Sequence, residues 1–120
     1  MKSSIRDLGE IRIIELGGKI TIGGGDVKIR ELISQALEAG KTNLLLDLGD
    51  VTAIDSSGIG EMVACYTTVT KRGGKLKLMH LSPKINDILQ VTQLITVFDV
   101  FDATTRKTSR KFIRSYWTLS

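Results

Sequence analysis

Residues 43–60 read NLLLDLGDVTAIDSSGIG, and this stretch changes from the pattern of a strand to that of a helix. Its first half is a nearly continuous apolar run, typical of a strand that is covered on at least one face and flanked by other strands. After the run, apolar residues recur at helical spacing as Ile59, Met62, Val63, Tyr66 and Val69. The pair Ser56–Ser57 therefore lies where a central strand turns into a helix, an edge of α/β sheets that commonly carries function.

The residues before this stretch predict a hairpin and a first helix. Ile11–Ile22 alternates loosely around Gly17 and Gly18, which indicates two short strands joined by a tight turn. The glycines at 23–25 break that pattern, and Asp26 is placed to cap a helix that Gly40 would end. The apolar face of this helix is Ile29, Leu32, Ile33, Ala36 and Leu37.

The residues after this stretch predict a strand, a helix and a last strand. KRGG at 71–74 ends the helix that follows the Ser pair, and KLKLMHL at 75–81 alternates as a half-buried strand. Ser82 is placed to cap a helix with Pro83 at its first position, and TVFDVF at 96–101 resembles a short strand. This order predicts a single α/β domain with a mixed, mainly parallel sheet of about four to five strands and four helices. The helices could cover one face of the sheet or both.

Composition limits the function classes. The 120 residues suit one globular domain, with 42% apolar and 25% charged residues. One cysteine and one histidine predict neither a disulfide nor a metal site, and no cofactor is expected. No apolar run is long enough to span a bilayer, and MKSSIRDLGE at 1–10 lacks the apolar stretch of a secretory signal, so we expect a cytoplasmic protein.

Charge is unevenly distributed along the chain. Residues 1–105 hold 12 Lys and Arg against 13 Asp and Glu, whereas the last fifteen residues carry five cations and no anion. The basic character thus belongs to the C-terminal tail, and the domain itself gives no reason to expect direct nucleic-acid binding. If helical, the tail gathers Phe112, Ile113, Tyr116 and Trp117 on one side. It either packs on the domain with a solvated basic face or contacts an anionic membrane or partner.

The residues around the Ser pair allow three chemical roles to be considered: a helix cap, a nucleophile and an anion site. Asp55, Ser56 or Ser57 could cap the helix, which needs only one of them. A nucleophilic serine needs a neighbouring base, but the only histidine, His80, lies one strand later and the Gly-x-Ser-x-Gly motif is absent. GGGDVK at 23–28 and GGKIT at 17–21 fail the dinucleotide and P-loop patterns, although helix amides beside Gly58 could hold an anion.

The sequence from Leu44 to Asp102 resembles a STAS domain, the family of anti-sigma factor antagonists and of the cytoplasmic domains of sulfate transporters. Its most specific element is Asp-Ser-Ser-Gly at 55–58, preceded by an apolar strand and followed, after a helix, by Gly73-Gly74 and another strand. The resemblance implies a STAS domain over residues 1–102 and a basic C-terminal helix or tail over 103–120.

The resemblance also implies a function. Antagonists of this family, when unphosphorylated, bind an anti-sigma factor that is a serine kinase; phosphorylation of the serine that corresponds to Ser56 ends this binding, and a phosphoserine phosphatase restores it. The domain would then be a substrate and not an enzyme. The implied phosphorylation site is Ser56, and the implied partner-binding residues are Thr21, Asp55, Ser56, Ser57, Gly58, Ile59, Glu61 and Met62.

One loop departs from the family pattern. Many antagonists carry Gly-Glu-Leu-Asp in the turn after the first hairpin strand, whereas this chain has Gly18-Lys19-Ile20-Thr21. Two other functions stay open: a STAS subunit that docks on a membrane transporter complex with Ser56 structural, and a small hydrolase that uses Ser56 as its nucleophile.

Overall fold

The computed structural model describes residues 1–101, 113, 114 and 117. A five-stranded sheet has the order β1-β2-β3-β4-β5; β1 and β2 are antiparallel, and the other three pairs are parallel. The expected mixed, mainly parallel α/β sheet is confirmed. In chain order the elements are β1 Lys2–Leu8, β2 Ile11–Ile20, α1 Gly25–Glu38, β3 Asn43–Ile54, α2 Ser56–Lys71, β4 Lys75–Met79, α3 Pro83–Val91, a short 3₁₀ helix Leu94–Thr96, and β5 Asp99–Phe101.

The position of the opening hairpin was predicted wrongly. Its turn is Gly9–Glu10, and its first strand is β1, which sequence reasoning had not assigned. The glycines at 17 and 18, expected to form the turn, lie inside β2 instead. There the register against β3 shifts between Glu15 and Gly17 and again between Gly18 and Lys19. Glycine in a strand often marks such bulges, so the two glycines bend one strand where a turn between two was expected.

The helix ends agree with the sequence signals except at the start of α1. Gly40 and Gly73 have positive φ angles just after α1 and α2, as expected of helix-ending glycines. Ser82 caps α3 by accepting a hydrogen bond from the Ile85 amide, with Pro83 at the first position, as predicted. Asp26, however, is not the N-cap of α1, because the helix begins at Gly25 and the cap position is Gly24.

The three described α-helices cover one face of the sheet. The main core joins the inward faces of α1, α2 and α3 to alternate residues of the strands, among them Ile14, Leu46 and Leu78. The other face carries a smaller apolar cluster with Ile113, against which Trp117 packs. The fourth predicted helix falls on the tail, where the described residues Ile113, Arg114 and Trp117 are helical; Phe112 and Tyr116 lie outside the described residues.

His80 follows the last residue of β4 and is buried. Its Nδ1 lies 3.0 Å from Oδ1 of Asp47 on β3, and the same oxygen accepts a hydrogen bond from the Gly49 amide. His80 thus pairs with a buried carboxylate of the neighbouring strand.

Of the helices in the described part of the chain, none has the length and apolar character needed to cross a bilayer.

Candidate functional site

Asp55 organises the start of α2. One carboxylate oxygen, Oδ1, accepts a hydrogen bond from the Gly58 amide at 2.9 Å, and the other, Oδ2, accepts one from the Ile22 amide at 3.0 Å. These bonds, first that from Gly58 and then that from Ile22, hold the pKa of Asp55 below its usual range. One side chain therefore caps α2 and ties the loop after β2 to it.

Ser56 is the first residue of α2, and it is exposed, whereas Ser57 is half-buried. Because Asp55 supplies the capping oxygen, neither hydroxyl is needed to start the helix. Of the three capping candidates left open by the sequence, the structure selects Asp55. The Ser56 hydroxyl is left facing solvent at the amino end of a helix, where backbone amides favour negative charge.

Two glycines bring the starts of both helices onto the end of β2. A Cβ at Gly58 would overlap the carbonyl oxygen of Ile20, and a Cβ at Gly25 would overlap the carbonyl oxygen of Lys19. The Asp55 amide also donates to the Ile20 carbonyl, at 3.3 Å. Thr21 continues from this point, and its carbonyl accepts hydrogen bonds from the Gly24 and Asp26 amides. The loop between β2 and α1 is thus held beside Ser56 by backbone contacts.

An exposed apolar residue, missed by sequence reasoning, stands in this loop. Ile22 is 74% exposed although its amide is bonded to Asp55, and Val27 in the first turns of α1 is 37% exposed. The available sequence signal was an isoleucine directly before three glycines, at the end of the alternating segment Ile11–Ile22. We give the name docking surface, for the partner binding proposed below, to Thr21, Ile22, Val27, Asp55, Ser56, Ser57 and Ile59.

The other predicted partner-binding residues face inward. Gly58 is buried, and Met62 is 1% exposed in the core. The Glu61 side chain is 10% exposed; its Oε1 accepts a hydrogen bond from Arg30 of α1, and its Oε2 accepts a weaker one from the Cys65 thiol at 3.6 Å. Glu61 therefore joins the two helices behind the docking surface, whereas Thr21, Ser56 and Ile59 belong to it.

Other reactive groups near α2 are sequestered. Burial, followed by the nearby Glu61 charge, raises the pKa of the Cys65 thiol to about 12, so it stays protonated and unreactive at neutral pH. Within the described residues, no three His, Cys, Asp or Glu side chains gather as a metal site. Of the two serines at this edge, Ser56 is the more exposed.

Comparison with known proteins gives a consistent result. The STAS domain family model matches residues 3–108. The chain is 32% identical over 87 residues to the anti-sigma-B factor antagonist of Bacillus subtilis, covering 72% of this chain and 78% of that protein. These matches confirm the resemblance found in the sequence.

Solved structures share the fold. The anti-sigma factor antagonist SpoIIAA in its unphosphorylated form superposes with a TM-score of 0.71 at 21% identity, covering 97% of this chain and 98% of that one. A sulfate transporter family protein from Wolinella succinogenes gives a TM-score of 0.74 at 20% identity, covering 92% and 87%. With the family match and the Asp-Ser-Ser-Gly turn at the start of α2, they lead to one conclusion: this chain belongs to the STAS domain family.

Proposed function

We propose that the protein is an anti-sigma factor antagonist that binds an anti-sigma factor serine kinase through the docking surface and is released when Ser56 is phosphorylated. The observation that carries the proposal is the exposure of Ser56 at the first position of α2, with capping left to Asp55. The hydroxyl is open to a kinase, and modifying it removes no bond that starts the helix. The relative from Bacillus subtilis, named an anti-sigma-B factor antagonist, supports the same class.

The free protein should tolerate the phosphate. A phosphoserine adds roughly −1.5 to −2 charges at pH 7, next to the Asp55 carboxylate. Two unit charges about 4 Å apart repel by about 1 kcal/mol in water and about 4 kcal/mol at an effective dielectric of 20. The amino end of α2 would return about 0.3–2 kcal/mol. Because these opposing contributions are similar in size, the fold is expected to survive phosphorylation.

The complex with the partner should not tolerate the phosphate on Ser56. A docked partner would exclude water from the phosphate beside Ile22, and a buried charge without a partner costs several kcal/mol. Since each 1.4 kcal/mol is a factor of ten, a few kcal/mol weakens binding by a hundredfold or more. A local charge thus acts as the switch without a change of fold. The partner kinase and a phosphatase would supply all the chemistry.

The test combines mass spectrometry with binding. Protein purified from its own cells is analysed by intact mass and peptide mapping, and Ser56→Ala and Ser56→Asp variants are used as baits for partners. We expect phosphate on Ser56 and a serine kinase that is retained by the Ala variant and lost by the Asp variant. Ser57→Ala controls for the neighbouring hydroxyl, and Ser34→Asp adds the same charge at an exposed position of α1.

Other outcomes would favour the alternatives. An unmodified Ser56 and a partner indifferent to both substitutions would make Ser56 structural, and would favour a STAS subunit that docks on a membrane transporter complex. Turnover of activated esters that disappears in Ser56→Ala would support the hydrolase. The burial of His80 against Asp47 argues against a base at Ser56.

A further inference from the structure

The edge strand β1 has properties that differ from the rest of the sheet. Its residues Lys2 to Asp7 are all exposed, and only the last residue, Leu8, is buried, in the apolar cluster of the opposite face. Within the described residues, β2 pairs with one edge of β1 and no strand pairs with the other. Ile5, in its centre, is 42% exposed. Such an edge is a template for another strand.

The hairpin turn determines which backbone groups face outward. Gly9, with φ of +61°, and Glu10 form a two-residue turn between the paired residues Leu8 and Ile11. The residues that flank such a turn form a hydrogen-bonded pair, so the N–H and C=O of Leu8 point to β2. Since direction alternates along a strand, the backbone groups of Ser3, Ile5 and Asp7 point outward.

This alternation of inward-pointing and outward-pointing backbone groups restricts how the β1 strands of two copies can pair. Opposed residues in an antiparallel ladder are either both hydrogen-bonded or both not, so only every second register is available. If the pair is centred on Ile5, Ile5 of one copy lies opposite Ile5 of the other. Ser3 of each copy then lies opposite Asp7 of the other, and Ser4 opposite Arg6. The hydroxyls thus face a carboxylate and a guanidinium, with apolar contact in the middle.

The neighbouring registers are unfavourable. Centring on Ser4 sets Lys2 opposite Arg6, and centring on Arg6 sets two Arg6 side chains against each other. Like charges directly opposed destabilise a strand pair. Of the registers centred on Ser4, Ile5 and Arg6, only the one centred on Ile5 opposes no like charges.

We propose that β1 is a self-association surface through which two copies of this chain join their sheets, with Ile5 on the two-fold axis. The inference is independent of Ser56 and of the proposed function. One strand pair buries less than the roughly 1,200 Å² of stable interfaces, so we expect a weak dimer with a Kd on the order of 100 µM. The joined sheet would carry the two docking surfaces at opposite ends, both open to partners.

Sedimentation tests the dimer. Between about 10 µM and about 1 mM protein, a range that brackets the expected Kd, the average mass should rise from 13.2 kDa toward twice that value. Ile5→Lys, which opposes two new charges at the axis, should keep the protein monomeric. Val91→Lys adds the same charge at a residue that is 85% exposed on α3, and should leave the association unchanged. A mass that stays monomeric at the highest concentration would overturn the proposal.

Cross-linking tests the register without relying on the Lys variant. In the proposed pairing, the two cysteines introduced by Ile5→Cys have Cα atoms about 5.5 Å apart, within disulfide range. The two cysteines introduced by Ser4→Cys would instead be diagonal neighbours about 7–8 Å apart, beyond that range. Mild oxidation should therefore link Ile5→Cys faster than Ser4→Cys, while buried Cys65 stays unlinked. Equal rates, or faster linking of Ser4→Cys, would contradict the pairing centred on Ile5.

Discussion

At the scale of single residues, glycines in α2 have opposite roles. A Cβ at Gly58 would overlap the carbonyl oxygen of Ile20 and lie 2.8 Å from its Cγ2, whereas a Cβ at Gly60 would meet nothing within 4 Å. Gly58 lets the start of α2 approach the end of β2. Gly60 makes no such contact, so its flexibility only weakens the helix.

Alanine at these two positions should therefore change stability in opposite directions. Gly58→Ala should lower the free energy of unfolding by about 1–3 kcal/mol, the usual cost of overpacking. Gly60→Ala should raise it by about 0.5–1 kcal/mol, since alanine is the better helix former. Urea unfolding followed by circular dichroism measures both. Equal effects of the two substitutions would mean that the contact between α2 and Ile20 is not tight.

Ile22 is the most exposed apolar residue of the docking surface, so a docked partner should bury much of its side chain. Its side chain is 74% exposed but its amide is fixed by Asp55, so burying it orders little extra chain. Ile22→Ser should weaken partner binding about tenfold, as for a moderately important interface residue, without changing the melting temperature. Isothermal titration with the partner captured by the Ser56→Ala bait measures it, and Val91→Ser is the control at the exposed end of α3. An unchanged affinity would place the interface elsewhere.

At the scale of elements, the strength of the sequence signals explains what was predicted. β3 and α2 were predicted because a long apolar run and an apolar helical face reflect burial. α3 was predicted because Ser82 and Pro83 form a local signal for a helix start. β1 was missed because an edge strand exposed on both faces has no hydrophobic pattern to read. The start of α1 was misplaced because contact between Gly25 and β2 fixes it, and no local capping signal records such a tertiary contact.

The Asp55 cap links two elements, and its effect should depend on pH. Asp55→Asn keeps an oxygen that can accept a hydrogen bond from the Gly58 amide, but its amide nitrogen cannot accept one from the Ile22 amide. The loop between β2 and α1 therefore loses its hydrogen bond to this side chain. We expect a lower melting temperature, by an amount on the order of 5 °C or less, and weaker partner binding at neutral pH. Ser82→Ala removes the cap of α3 and should lower stability without affecting binding.

The sign of the pH effect follows from the lowered pKa of Asp55. The folded carboxyl ionises below its ordinary pKa of 3.8, so its stabilising contribution is complete above about pH 5 and is lost as the pH falls through the folded-state pKa. The difference in melting temperature between the native protein and Asp55→Asn should therefore be constant from about pH 5 to about pH 7 and shrink below pH 3.8. A difference that persists well below the folded-state pKa would assign the stabilisation to something other than the ionised carboxylate.

At the scale of the whole molecule, the apolar residues of the sheet could not show what covers each face. β3 is apolar on both sides, with Leu44 and Leu46 in the main core and Leu45 in the smaller cluster. The helices take the first face. On the second, Ile113 joins the cluster and Trp117 lies over buried Lys77, with its ring centre 4.6 Å from Nζ. The sequence allowed the tail either to pack on the domain or to contact a membrane or partner. Of its described residues, Ile113 and Trp117 pack on the sheet.

If this packing is part of the fold, disturbing Ile113 should destabilise the whole domain. Ile113 is 1% exposed, so Ile113→Ala should lower the free energy of unfolding by about 2–5 kcal/mol. Val91→Ala, at an exposed position, should change it little. Trp117 is the only tryptophan, so its fluorescence reports on the C-terminal region while circular dichroism reports on the sheet and helices. Both signals should change at the same urea concentration, since a cooperative domain unfolds as one unit. Fluorescence that changes first would instead show a C-terminal region that leaves the sheet while the rest stays folded, and in that case Ile113→Ala would shift only the first transition.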